Sequence, residues 1–327
     1  MTLRGHSRIP LRGHSASRFT FQVSLIIAAY LALGAYYSVT TPIFEAPDEA
    51  QHFFVVREIV EQGRLPAQQA GVSERWQQEG SQPPLYYLLG AALTFWIDAG
   101  DWQAFSETNP YSTQGDPQAL GNKNVYLHSA REIFPWHGTP LAVQLLRFSS
   151  LLFGAASIFI TYQLACALFN NQMVALGAAA LHASLPQFLF VSAAVNNDAL
   201  ATLLCGAVVL QAVRLAKGAR DWRHHVLLGL LVGLAALTKL SGAAMSVVAV
   251  WAITLNASAK RPSPMTNYQL LFTVGLVAFA VSGWWYARNL ILYGDVTGLN
   301  RMLAIVGTRN PPPDLWQLLD EAEGLRL

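Results

Sequence analysis

The apolar residues of this chain are gathered into runs long enough to cross a bilayer, at 19–40, 141–168, 173–195, 198–217, 224–239, 241–256 and 267–291. A run of about 20 such residues is what a membrane-spanning helix requires. With 53% hydrophobic and only 12% charged residues, the chain reads as an all-α polytopic membrane protein of about seven transmembrane helices. The spans 224–239 and 241–256 are the short ones. A formal charge of +2 is too small to suggest nucleic acid as a partner. Cys166 and Cys205 both fall inside apolar runs, so they read as small core residues and not as a disulfide framework or a CxxC metal site.

Charge sets the orientation. Residues 1–18 carry Arg4, Arg8, Arg12 and Arg18 with no acid and repeat Leu-Arg-Gly-His-Ser, which predicts a disordered basic tail. The run 19–40 is too long for a signal-peptide core and lacks an Ala-x-Ala site, so it is expected to be an uncleaved anchor with the tail on the cytoplasmic side. Residues 41–140 hold twelve acids against five Lys or Arg and are expected outside as one long loop. Within it the apolar stretch 83–97 is only about 15 residues long, in the range of an interfacial or re-entrant helix. If 83–97 does not cross, the connectors with Lys217, Arg220 and Arg223 and with Lys260 and Arg261 fall on the cytoplasmic side, as the positive-inside rule requires. The expectation is therefore a long external first loop containing interfacial helices, anchored by Tyr86, Tyr87 and Trp96. A six-helix membrane region at 141–293 follows, then an external segment at 294–327.

On that topology several ionisable residues meet at the outer face: Asp48, Glu49 and His52 just after the anchor, Asp198 between two spans, and Arg147, Lys239 and Arg288 near the outer ends of three others. Ionisable groups near membrane depth cost roughly 2.5 to 3.5 kcal/mol at a helix centre and are usually kept for pairing or function. Each also has a plainer explanation. Acids behind Pro47 complement a helix dipole, Asn197 and Asp198 are good helix caps, and a long basic side chain snorkels to the headgroups. Asp48 and Glu49 precede His52 by four and three residues, so the three share a helix face and are candidates to bind a proton, a hydroxyl or a divalent cation jointly. Glycines 229, 233 and 242 suggest close helix packing. His128 and His182 read as lone histidines.

Taken in order, Asp48-Glu49, Gln82-Pro83-Pro84-Leu85-Tyr86-Tyr87, Arg147-Phe148-Ser149-Ser150-Leu151-Leu152-Phe153-Gly154, Asn197-Asp198-Ala199-Leu200, Gly233-Leu234-Ala235-Ala236-Leu237-Thr238-Lys239 and Trp284-Trp285-Tyr286-Ala287-Arg288-Asn289 resemble the GT-C integral membrane glycosyltransferases. The likeness is to the branch with protein O-mannosyltransferases and lipid A aminoarabinose transferases, and it runs from about residue 20 to 300. The resemblance implies a polyprenyl-phosphate sugar donor in the membrane and a protein, lipid or polysaccharide acceptor. It makes Asp48 the essential first-loop acid, Glu49 its neighbour in the Asp-Glu pair and Asp198 the second acid. Arg147, Lys239 and Arg288 are then expected to bind the lipid phosphate, with His52 in support.

Two features depart from the pattern. Ala50 and Gln51 separate the acidic pair from His52, where O-mannosyltransferases leave one residue, and the family continues with further helices after the seventh span, so a fragment or trimmed form of a longer enzyme is the expectation. A transporter or lipid flippase, with acids and bases relaying protons, and a non-catalytic membrane scaffold are the competing readings.

Overall fold

The computed structural model describes residues 12–69, 72, 74–113, 120–218, 221–257, 266–307 and 316–317. The long helices are α1 (Arg12–Thr40), α4 (Gly138–Phe169), α7 (Asp198–Ala216), α8 (Trp222–Thr238) and α10 (Asn267–Tyr293). Between them come α2 (Glu49–Gln62), α3 (Leu85–Thr94), α5 (Gln172–Ser184), α6 (Pro186–Ser192) and α9 (Met245–Ala257), with α11 (Leu299–Val306) after α10.

The helix limits follow from local chemistry. Asn170 ends α4 in the left-handed conformation, and the next residue, Asn171, opens α5 by accepting from the amides of Met173 and Val174. Thr266 and Gln269 form a reciprocal capping box ahead of α10. Pro186 has no N–H to continue α5, and the chain bends by 63° into α6.

By length and composition four helices can cross a membrane, α1 over Phe21–Thr40, α4, α7 and α10, or five if the bent α5–α6 pair is one span. The expected count of seven is not reached on this criterion, because Trp222–Thr238 and Leu240–Leu255 are shorter apolar helices. The stretch 83–97 is represented by the 10-residue α3, about 15 Å long and too short for a hydrocarbon core of about 30 Å. The N-terminal segment differs from expectation: helix begins at Arg12, so the basic tail is helical from there, and its first part lies outside the described residues. Arg220, Lys260 and Arg261 also fall outside them.

Hydrogen bonds from the 41–140 loop define one end of the bundle. Gln82 meets Asn197 ahead of α7, and the backbone amide of Gln68 donates to Tyr293 at the end of α10. Lys217, after α7, instead donates to the carbonyl of Ala167 at the opposite end. The loop is folded onto its end of the bundle through a shared core, in which Phe44, Phe53, Phe54 and Trp76 are contiguous with Leu146, Val195, Leu200 and Ala235. Tyr86 and Tyr87 belong to this core, at 1% and 0% exposure, and do not serve as interfacial anchors; Trp96, at 60%, is the exposed one. The Tyr86 hydroxyl lies 2.9 Å from Ser150 Oγ on α4, which joins α3 to the interior.

Two further cores tie α1 to α4, α5 and α6, and α7 to α8, α9 and α10. Lipid tails are as apolar as the helix faces, so association here rests on close packing. At Gly233 a Cβ would meet Val281 Cβ at 2.7 Å and the Ala278 carbonyl at 2.9 Å, and Gly229 is pressed in the same way on Val274 and Val277. The close packing expected at these glycines is the α8–α10 contact. Gly233→Ala is expected to cost about 1–3 kcal/mol by overpacking, seen as a lowered unfolding temperature in detergent. Gly177→Ala, where nothing lies within 4 Å, should be neutral or slightly stabilising; equal effects at the two positions would contradict this account.

Candidate functional site

Asp48 and Glu49 are consecutive, yet the structure sends them to different places. Asp48 stands at the head of α2 with φ 57°, in the left-handed region, and its side chain does not cap the helix. It is exposed and accepts one hydrogen bond, from Gln78 Nε2 at 3.2 Å. Glu49 is fully buried against an equally buried Arg147. Arg147 Nε donates to Glu49 Oε1 at 2.8 Å and Nη2 to Oε2 at 2.6 Å, a bidentate pair. The remaining Arg147 donors go to the carbonyls of Ser38, Thr41 and Pro42, and the remaining Glu49 lone pairs accept from the amides of Phe44 and Val195. With every donor and acceptor taken, Arg147 has nothing left to offer a lipid phosphate and Glu49 nothing to offer an acceptor. In this arrangement the two residues form an internal tie.

His52 does not share a site with the two acids, although it shares their helix. Its Nδ1 lies 2.8 Å from the Tyr87 hydroxyl and 3.4 Å from Glu79 Oε2, and its ring stacks on that of Tyr87. Burial, with the charge of Lys239 adding to it, pushes the imidazole down to about 3. Burial and the charge of Asp48 push the Glu79 carboxyl up to about 7. The His52–Glu79 contact is therefore a hydrogen-bonded cluster around a neutral imidazole and not an ion pair. Among the described residues no group of three or more His, Cys, Asp and Glu is placed to hold a metal ion, so the divalent cation expected at Asp48, Glu49 and His52 finds no such set there.

Asp198 and Lys239 do meet. Lys239 Nζ lies 2.5 Å from Asp198 Oδ1, with side chains 31% and 48% exposed. Asp198 is the first residue of α7 and does not cap it; its own amide is held by Asn196 Oδ1 at 2.9 Å. The pair stands in a cleft of about 500 Å³ whose lining includes Thr161, His182, Cys205 and Ser241. Arg288 lines a different hollow, with Arg64 and Trp284. The three cations of the sequence reading thus occupy three settings: Arg147 is buried on Glu49, Lys239 meets Asp198 at the cleft, and Arg288 adjoins neither acid.

Sequence does not single out Glu79, and it offers Tyr87 as an interfacial anchor and a motif residue, not as a partner of His52. Glu79 is one acid among the twelve of its loop, and the one signal beside it is the Gln82-Pro83-Pro84 segment three residues on. Nor is His128 alone: Nε2 and Nδ1 each lie 2.8 Å from a carboxylate, of Glu45 and of Glu132 respectively. Glu45 also accepts from the amides of Val125 and Tyr126, and Glu132 from that of Ile43, so this trio closes the loop on itself.

Breaking a buried pair leaves an uncompensated charge, so Arg147→Met or Glu49→Met alone is expected to cost about 3–5 kcal/mol, and the double variant less than the sum. Unfolding in detergent measures this, and additive losses would sink it. For Glu79 the folded pKa is raised. Its contribution to stability is full below the ordinary value of 4.5 and lost as pH rises through about 7. His52 works in the opposite sense, its contribution being present above 6.5 and lost as pH falls toward about 3. The wild type should therefore lose stability relative to Glu79→Gln as pH rises from 4.5 to 7; parallel curves would contradict the assigned burial.

Residues 142–285 match the family described as dolichyl-phosphate-mannose-protein mannosyltransferase. Among solved structures, the chain is similar to the S. cerevisiae protein O-mannosyltransferase Pmt1-Pmt2 complex bound to the sugar donor, at 16% identity and a TM-score of 0.50 over 83% of this chain and 33% of that one. The Archaeoglobus fulgidus oligosaccharyltransferase in complex with Zn and sulfate matches at 16% identity and a TM-score of 0.49, over 85% of this chain and 34% of that one. The chain thus spans about a third of the length of the structures it matches. No curated protein sequence matches it. The chain shares the fold of that protein O-mannosyltransferase, and its residues 142–285 carry the sequence pattern of the mannosyltransferase family.

Proposed function

We infer that this protein is a membrane glycosyltransferase that moves a sugar from a polyprenyl-phosphate carrier to an acceptor hydroxyl or amine at the loop-bearing end of the bundle, on the extracytoplasmic face of the cell membrane. One observation carries this reading: an exposed carboxylate, Asp48, shares an electrostatic neighbourhood with a cleft headed by the Asp198–Lys239 pair. The charges of Asp48, Lys239 and Asp198 all act on Glu79, which lies among them.

The residue types suit the chemistry. A sugar on a lipid phosphate already has a good leaving group, so the demand on the protein is to take a proton from the acceptor and to neutralise the departing phosphate. Asp48 accepts the acceptor's proton as its oxygen or nitrogen bonds to the anomeric carbon. The bond from that carbon to the phosphate oxygen breaks on the opposite face, with inversion, and the electron pair leaves with the lipid phosphate. Lys239 is the cation placed to receive that charge, and Asp198 orients its ammonium. The cleft beyond the pair accommodates the start of the isoprenoid chain. Glu49 and Arg147 act at one remove, by fixing the turn on which Asp48 stands. The acceptor class is a protein, a lipid or a polysaccharide.

In bilayer discs loaded with a labelled polyprenyl-phosphate sugar and acceptor, the wild type is expected to release lipid phosphate, and Asp48→Asn to lower that rate by at least about 100-fold with unchanged unfolding temperature. Near-normal turnover in the variant would remove Asp48 from its role. Movement of the lipid across the bilayer without bond cleavage would replace the enzyme with a carrier, and neither process would leave a scaffold.

A further inference from the structure

Arg288 projects from near the end of α10 at the loop-bearing end, where its Nη2 donates to the carbonyl of Pro66 at 2.6 Å and its guanidinium lies 5.0 Å from the centre of the Trp285 ring. These contacts hold the group rigidly without satisfying it. Its Nη1 is buried and has no hydrogen-bond partner among the described residues. A buried cationic N–H without an acceptor costs more than a neutral one, so such an atom points to an anionic partner outside the chain.

The surroundings say what kind of anion. Arg288 lines a hollow of about 680 Å³ with Arg64, whose side chain is 72% exposed, and with Trp284, Ile291 and Leu292. Those last three side chains are 44%, 82% and 47% exposed, on a helix that is itself long and apolar enough to span a membrane. Two arginines at the head of an apolar, outward-facing groove match a molecule with a phosphate at one end and a hydrocarbon chain at the other. The hollow shares no lining residue with the Asp198–Lys239 cleft.

We propose that Arg288 and Arg64 bind the phosphate headgroup of an anionic phospholipid in the leaflet at the loop-bearing end, with an acyl chain lying along Trp284, Ile291 and Leu292, as a lipid site separate from the cleft of Lys239. Arg288 supplies the buried donor and Arg64, whose Nε is held by Glu58 at 3.3 Å, the exposed one. Because Arg288 also holds the carbonyl of Pro66, an occupied site fastens the segment after α2 to α10.

Native mass spectrometry of the delipidated, full-length chain titrated with phosphatidylglycerol, and in parallel with phosphatidylcholine, tests this. One phosphatidylglycerol is expected to bind at least about tenfold more tightly than phosphatidylcholine. Its affinity should fall about tenfold or more in Arg288→Gln and less steeply in Arg64→Gln; because Arg64 Nε also pairs with the buried Glu58 at 3.3 Å, Glu58→Gln, which removes the same pair and keeps Arg64, should leave the affinity unchanged. Lys239→Gln should leave it unchanged. Equal binding of the two lipids, loss of phosphatidylglycerol in Lys239→Gln in place of the arginine variants, or no effect of Arg64→Gln would overturn the site. Displacement of the lipid by millimolar inorganic phosphate alone would overturn the lipid assignment and leave a free-anion site. Retention of sugar transfer has no bearing on these outcomes, so the site stands or falls apart from the glycosyltransferase reading.

Discussion

The Glu49–Arg147 pair is the interaction on which the arrangement of the loop-bearing end rests. Two charges removed from water cost several kcal/mol each, and attraction offsets that only when the remaining donors and acceptors are matched. Here they are matched completely, and the matching groups come from separate parts of the chain: the carbonyls at the end of α1, the amide of Phe44 in the turn before α2, and the amide of Val195 beyond α6. A single polar node therefore fixes where α1 ends, where α2 begins, and how α4 and the α6–α7 turn approach them. An apolar replacement would fill the space and lose the directions.

Direction is what Asp48 needs. Its left-handed backbone turns the chain so that Glu49 points inward while Asp48 faces out. Few non-glycine residues adopt that conformation, and aspartate is among those that tolerate it best. Behind it the His52–Tyr87–Glu79 cluster fills the space between α2 and α3 with polar groups that satisfy one another. Adjacent acids in a sequence thus serve as architecture and as candidate chemistry, divided by one backbone angle.

Much of the fold was legible because each signal is local. The long apolar runs are helices, the Asn170-Asn171 break interrupts where a capping side chain requires it, and Gly229 and Gly233 sit where two helices touch; the 63° bend at Pro186, inside the run read as one span over 173–195, is the exception. That Asp198 and Lys239 fall at one end could be anticipated from topology, since the chain runs out along α7 and back along α8 between them; they pair there. What stayed hidden depends on tertiary position. Tyr86 and Tyr87 have the composition of an interfacial belt and are core residues, because the loop folds back over α3. Arg147 and Arg288 look alike in a hydropathy plot; one is saturated by its neighbours and the other is left with a free N–H. No spacing rule distinguishes Glu79 from the other acids of its loop, since its place beside Tyr87 and His52 is set by tertiary packing.

The same node has a bearing on biogenesis. Arg147 is 98 residues downstream of Glu49 and Val195 is 146 downstream. During synthesis the loop emerges long before either partner exists, so the carboxylate of Glu49 waits without its cation, with α2 unanchored. The turn carrying Asp48 takes its final shape only after α4 and the bent α5–α6 pair have entered the membrane. A nascent chain stalled earlier would carry a complete first loop in sequence and an unformed one in space.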